Sequence, residues 1–114
     1  ALNYLGTAVR GTLNVLNSCL QCSTVRRVVL TSSIAAITDD FYPCKVYSEQ
    51  DWNTKSSLKR NPYYLSKTLA EKAALQFMRE HAHLVKFSLV VLAVCCGATK
   101  HISTFPSLIV FTCK

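Results

Sequence analysis

Two short apolar runs most constrain what this chain can fold into. The first, "VRRVVLTSS" (Val25 to Ser33), is rich in β-branched residues and ends in hydroxyls; the second, "KFSLVVLAVCCG" (Lys86 to Gly97), is apolar along most of its length. Continuous apolar runs of this length mark strands covered on both faces. We therefore expect one buried strand over Arg27 to Thr31 and a second over Lys86 to Gly97. A helical pattern precedes each of them. Over Leu2 to Cys22 the residues Val9, Leu13, Leu16 and Leu20 fall at spacings of four, three and four, the apolar stripe of an amphipathic helix. The stretch "NPYYLSKTLAEKAALQFMREH" offers Asn61 as a cap and Pro62 at the first helical position, and it continues in strong helix formers to about His81. Its expected buried stripe is Leu65, Leu69, Ala73 and Phe77, with Glu71 to Leu75 as a tolerant flank.

The order helix, strand, long connection, helix, strand is that of half a parallel α/β sheet. The connection, Ile34 to Arg60, has no sustained period; it carries Asp39-Asp40, Pro43 and the acidic "SEQDW" from Ser48 to Trp52. A loop this long inside a compact domain is usually functional or mobile. After Gly97 the tail "HISTFPSLIVFTCK" is apolar without a clear period.

At 114 residues, half of them hydrophobic, the chain is at most one small domain with a modest core. Thirteen Lys and Arg against six Asp and Glu give a formal charge of +7, which would suit nucleic acid, a membrane surface or a phosphorylated small molecule. The basic residues are scattered, however, and are not interleaved with aromatic ones as a reader of single strands requires, so we expect no nucleic-acid partner. Phe87 to Ala98, about twelve residues, is too short to span a bilayer, and no signal-peptide pattern precedes the first helix. We expect no membrane partner and a cytoplasmic location. Cys19 and Cys22 form a CxxC inside a helical pattern, with no second pair of matching spacing and with His81, His83 and His101 far along the chain. That argues against a metal site. Cys44, Cys95, Cys96 and Cys113 read as small buried or half-buried apolar residues of a reducing compartment. The sequence begins at Ala1, already inside a helical pattern, as a fragment would.

In open α/β sheets, ligands sit beyond the carboxyl ends of the strands, where the first strand here places Thr31, Ser32 and Ser33. Tyr63 and Lys67, four residues apart, share one helix face, with Cβ atoms roughly 5–6 Å apart; Tyr64 points elsewhere. A phenol is a poor acid-base catalyst at neutral pH, and an ammonium about 6 Å away at an effective dielectric of about 20 favours its anion by roughly 2.8 kcal/mol. Taken singly, the serines can be an ordinary strand end, and Tyr-x-x-x-Lys an ordinary exposed pair. Their order is more informative: a strand ending in Ser-Ser, thirty residues from Ser33 to Tyr63, a helix opening with Tyr-x-x-x-Lys, then an apolar strand.

With "AVRGTLNVL" (Ala8 to Leu16), "VRRVVLTSSIAA" (Val25 to Ala36), "YSEQDW" (Tyr47 to Trp52) and "YYLSKTLAEKAA" (Tyr63 to Ala74), the chain resembles the extended short-chain dehydrogenase/reductase superfamily, in its dihydroflavonol reductase and cinnamoyl-CoA reductase-like branch. The resemblance implies a partial NAD(P)-binding Rossmann-like domain over 1–114, a parallel sheet with flanking helices. It implies a catalytic set of Ser33, Tyr63 and Lys67: Ser33 would hydrogen-bond a substrate carbonyl, Tyr63 would give it a proton, and Lys67 would hold the nicotinamide ribose. Thr31 and Ser32 would line the cofactor side, with Tyr63 and Lys67 also touching the cofactor. The cofactor implied is NADP(H), with NAD(H) the alternative, and the substrate a bulky ketone or aldehyde. The helices bearing Leu13-Leu16 and Tyr63-Lys67 often pair subunits in such enzymes, so a homodimer through them is a further expectation. A 3β-hydroxysteroid dehydrogenase, or a sugar-nucleotide epimerase or dehydratase, shares the same Ser-Tyr-Lys logic. A non-catalytic module that dimerises through the two helices is the alternative from another class.

The chain departs from the family at several points, the missing acidic or basic residue that would select NAD or NADP among them. No glycine-rich phosphate loop is present, the glycines being Gly6, Gly11 and Gly97 alone. The Asn-Pro expected in the strand after the catalytic helix is missing, and Ala35 stands where the family has glycine. From about 85–92 onward the pattern diverges, and 98–114 has no clear place in the fold.

Overall fold

The computed structural model describes the backbone over residues 2–94 and 109–112, and side chains over 5–91. It comprises α1 (Leu2–Gln21), β1 (Arg27–Ser33), a 3-10 turn (Ile34–Ala36), α2 (Pro62–Glu80), β2 (Ser88–Val94) and β3 (Ile109–Thr112).

The expected stripe of α1 meets the core: Leu16 is buried, while Leu13 and Leu20 pack against the same cluster. The polar side satisfies itself, with Thr12, Asn17 and Ser18 donating to the carbonyls of Ala8, Leu13 and Asn14 at 2.9, 2.9 and 3.0 Å. A bond from Cys22 N–H to the Cys19 carbonyl closes the last turn, and the chain passes through Ser23 and Thr24 into β1.

β1 and β2 pair in parallel, from Arg27 opposite Ser88 to Ser33 opposite Val94, with α2 in the crossover between them. Parallel neighbours need such a connection, so this register bears out the expected α/β order. β1 runs on through Ser33, two residues beyond the expected strand, and therefore carries the hydroxyls itself.

The expectation that β1 is buried on both faces is corrected. Val28, Leu30 and Ser32 turn inward, whereas Arg27, Val29 and Thr31 are exposed, Val29 by 58%. The cause is the placement of the helices. α1 packs against α2, and both cover one face of the sheet over a single cluster of Leu16, Ala74, Phe77, Met78, Phe87, Leu89 and Val91. β2 is the middle strand of the order β1-β2-β3, and among the described residues its Leu89 and Val91 are the largest fully buried side chains. It starts at Ser88, two residues later than expected, and residues 95–97 of the expected strand lie outside the described residues. From the aperiodic tail, 109–112 form β3, antiparallel to β2 with Ala93 opposite Ile109. Cys95, Cys96 and Cys113 lie outside the described residues.

α2 also turns differently from its expected stripe. Leu69 is exposed, and Leu65 and Ala73 are half-buried; the buried set is Ser66, Thr68, Ala70, Glu71, Ala74, Phe77 and Met78. Small side chains dominate this face because α1 and the 3-10 turn both lie against it, and close approach of backbones favours small residues. Pro62 does occupy the first helical position, but Asn61 does not cap the helix with its side chain. Cys44 is exposed, because it lies in the outer part of the long loop and away from the core.

Candidate active site at the end of β1 and the start of α2

The three residues at the end of β1 have three different surroundings. Thr31 is exposed on the open face, while Ser32 is buried and its hydroxyl donates to the Glu71 carboxyl group of α2. Ser33 is half-buried in extended backbone and caps the 3-10 turn, its Oγ accepting from Ala35 N–H at 3.2 Å. That bond uses an oxygen lone pair and leaves the hydroxyl proton available to a ligand.

The turn after Ser33 is seated on α2. Ala35 and Ala36 are 1% and 0% exposed, so the methyl of Ala35, in place of the family's glycine, fills space in the interior. The Ala35 carbonyl accepts from Asn53 Nδ2 at 2.8 Å and from Thr68 Oγ1 at 3.4 Å, and the Ala36 carbonyl accepts from Asn53 N–H at 2.9 Å. Thr68 is the neighbour of Lys67. Three backbone segments thus converge two residues after Ser33 and one residue after Lys67.

The long loop is fastened at both ends. The Asp39 side chain is shielded from solvent and accepts from Arg60 Nε at 3.0 Å, from Ser56 Oγ at 2.9 Å and from the Asn61 amide. Burial pushes the Asp39 carboxyl up, but Arg60, Ser56 and Asn61 together hold it below the usual range. Asp40 is held low chiefly by the hydrogen bond from Lys55 Nζ at 2.7 Å, with Arg60 Nη2 at 2.8 Å beside it. Lys55 is raised in turn by its bond to Asp40. Asn61 sits in the left-handed region at φ 52°, which asparagine tolerates better than most residues, and there the chain turns into α2. Its amide nitrogen donates to Asp39, and its left-handed backbone is not the extended one from which a side-chain oxygen caps a helix.

At the start of α2 Tyr63 is 55% exposed, its ring edge-on to Tyr64 with centroids 6.2 Å apart. Lys67 Nζ lies 5.9 Å from the centre of the Tyr63 ring, within cation–π range. Among the described residues Lys67 makes no ion pair, so its ammonium is free for a ligand. The structure therefore brings Tyr63 and Lys67 together and seats the turn that follows Ser33 against the same helix. Sequence reasoning passed over Glu71 and Asn53. Glu71 has a signal in hindsight, a lone carboxyl between Ala70 and Ala74 one turn beyond Lys67; Asn53, inside an aperiodic loop, has none.

Residues 3–89 match the model of the 3-beta hydroxysteroid dehydrogenase/isomerase family. The chain belongs to that family. Curated relatives include a cinnamoyl-CoA reductase of Medicago truncatula, 47% identical over 79 residues (65% of this chain, 24% of the relative). A tetraketide alpha-pyrone reductase of Arabidopsis thaliana is 47% identical over 81 residues (68% and 25%), and a dihydroflavonol 4-reductase of Zea mays is 37% identical over 78 residues (64% and 22%). The chain spans about a quarter of the length of these relatives. Among solved structures, the yeast methylglyoxal/isovaleraldehyde reductase complexed with NADPH superposes with a TM-score of 0.70 at 34% identity, covering 80% of this chain and 30% of that one. Vestitone reductase from alfalfa gives 0.63 at 31% identity, with 80% and 30% covered. The resemblance to the dihydroflavonol and cinnamoyl-CoA reductases, and the Rossmann-like α/β class, are borne out.

The residues of this family member fit one end of a nicotinamide dinucleotide. An unpaired ammonium, an exposed phenol and a hydroxyl with a free proton suit the nicotinamide ribose and a carbonyl beside it. Among the described residues none fits the pyrophosphate, since the two described glycines, Gly6 and Gly11, lie within α1 and supply no phosphate-binding turn. Among the described residues no three His, Cys, Asp or Glu side chains gather as a metal site, and no helix is long and apolar enough to cross a membrane.

Proposed function

We propose that the chain carries the catalytic segment of an NADP(H)-dependent oxidoreductase that reduces a ketone or aldehyde with Ser33, Tyr63 and Lys67. The observation that carries this reading is the unpaired ammonium of Lys67 beside the exposed Tyr63 ring, on the helix against which the end of β1 is seated. Ser33 donates its hydroxyl proton to the substrate carbonyl, since its oxygen already accepts from Ala35. Tyr63 passes a proton to the same oxygen as it gains electrons, and Lys67 holds the ribose and favours the phenolate left behind. Thr31 and Ser32 stand on the cofactor side, with Ser32 acting through its buried bond rather than by direct contact. When bound, the reduced nicotinamide supplies the hydride; NAD(H) would supply the same chemistry.

The names of the relatives favour a bulky aromatic or polyketide-derived carbonyl as substrate. The family model favours a second reading of the same site, with a hydroxysteroid as the alcohol oxidised. We also propose a homodimer through α1 and α2, over the helix surface that remains once Leu16 is packed in the chain's own core. The test is a graft: residues 3–89 replace the aligned segment of the yeast reductase. Retained NADPH-dependent reduction of an aromatic aldehyde, without activity on a 3β-hydroxysteroid, supports the first reading. A correctly folded graft that binds NADPH and turns over neither substrate contradicts both.

A further inference from the structure

Glu71 is 6% exposed and sits on α2 one turn beyond Lys67, where a leucine would pack without loss of hydration. Its hydrogen-bond partner is the buried hydroxyl of Ser32, thirty-nine residues earlier in the chain. Among the described residues no cation answers it from the elements packed around it. The 3-10 turn and the described side chains of β2 hold no ionisable group, β1 has only Arg27 at its far end, and among the described side chains of α1 there are only Arg10, bonded to the Gly6 carbonyl, and the Cys19 thiol. On α2 itself Lys67 lies over Tyr63, and Lys72 lies over Trp52 at 5.0 Å. Burial accordingly pushes the Glu71 carboxyl above its ordinary value, while the bond from Ser32 opposes the rise.

The pair links two places that matter for the reading above. Ser32 precedes Ser33, and Glu71 follows Lys67 by four residues on the same helix. A slip of α2 by one turn, roughly 5.4 Å, would break the bond. We propose that the Ser32–Glu71 hydrogen bond is a positioning latch: it fixes the strand end that presents Ser33 against the helix that presents Tyr63 and Lys67. Its catalytic purpose rests on the function proposed above; the latch itself holds or fails without turnover.

The test uses the 114-residue chain labelled with nitrogen-15. Glu71→Gln keeps an acceptor of the same shape, Glu71→Leu keeps bulk without an acceptor, and Ser32→Ala removes the donor. The Ile37 and Thr38 amides, bonded to the Ile34 carbonyl at 2.9 and 3.0 Å, report on the turn, and contacts between Ala35 and Thr68 report on its seat. In Glu71→Gln both should match the wild type. In Glu71→Leu and Ser32→Ala, exchange at Ile37 and Thr38 should rise about tenfold and the Ala35–Thr68 contacts weaken, while the β1–β2 ladder keeps its protection. The double variant should be no worse than either single one. Wild-type protection in both deletion variants, an equal loss in Glu71→Gln, or additive losses in the double variant would each overturn the latch. If Glu71→Leu does not fold, Ser32→Ala carries the same comparison. A grafted enzyme that binds NADPH and never reduces a carbonyl overturns the catalytic reading and leaves the latch standing.

Discussion

The ammonium of Lys67 lies 5.9 Å from the centre of the Tyr63 ring, and no carboxylate among the described residues competes for it. In the mechanism proposed above, this lysine favours the phenolate and holds the ribose hydroxyls. Lys67→Met in the grafted enzyme should therefore lower kcat and raise the KM for NADPH together. Lys67→Arg should restore cofactor binding better than turnover, because a planar guanidinium does not reproduce a compact ammonium. Steady-state kinetics with the cofactor varied separate the two effects.

The carboxyl of Glu71 is raised by burial, so the sign of its linkage is that of a group that prefers its proton in the folded state. Its stabilising contribution is full below the ordinary value of 4.5 and is lost as pH rises through the folded value. The melting temperature of Glu71→Gln relative to wild type should therefore climb from pH 4 towards neutrality. Thermal melts in matched buffers read that difference directly, and a gap independent of pH would show that the carboxyl ionises freely.

Asp39 and Asp40 have the opposite sign, because Arg60, Lys55 and their hydrogen-bond partners hold both carboxyls low. Their contribution is present above the ordinary value of 3.8 and is lost as pH falls through the folded values. Arg60→Met should flatten the acid limb of the stability curve and make the approach to α2 more open to proteolysis. Limited digestion across the loop at neutral pH is the check. Salt should weaken the Asp40 pairs, which are exposed, more than the Asp39 contacts, which are shielded.

The one-sided sheet predicts unequal responses from neighbouring strands. Leu89→Ala, at a position 1% exposed, should cost about 3 kcal/mol in a denaturant melt. Val29→Thr, on the open face at 58% exposed, should stay within about 0.5 kcal/mol. A large loss at Val29 would mean that this face is covered in solution.

Much of this was legible in the residues, and the failures have a common cause. The α1 stripe of Leu13, Leu16 and Leu20 reads correctly because large apolar residues at helical spacing have one sensible place to go. In α2 the same rule misleads. Much of its buried face is built from Ser66, Thr68, Ala70 and Ala74, small enough for close packing, while the larger Leu65 is only half-buried and Leu69 is left towards solvent. The covering of β1 could not be read from Val28, Val29 and Leu30, because an apolar run does not say how many helices will lie on each face. That Tyr63 and Lys67 lie side by side was legible from spacing because a helix brings residues four apart onto one face. Glu71 and Asn53 were missed because their partners, Ser32 and Ala35, are distant in sequence and no local period marks them.

Tyr63→Phe in the grafted enzyme tests the central claim most directly. It removes the proton to be donated and leaves the ring beside Lys67. The account predicts a fall in kcat of roughly 10²–10⁴-fold with the Kd for NADPH essentially unchanged. Turnover retained at the wild-type level, with the cofactor still bound, would contradict it.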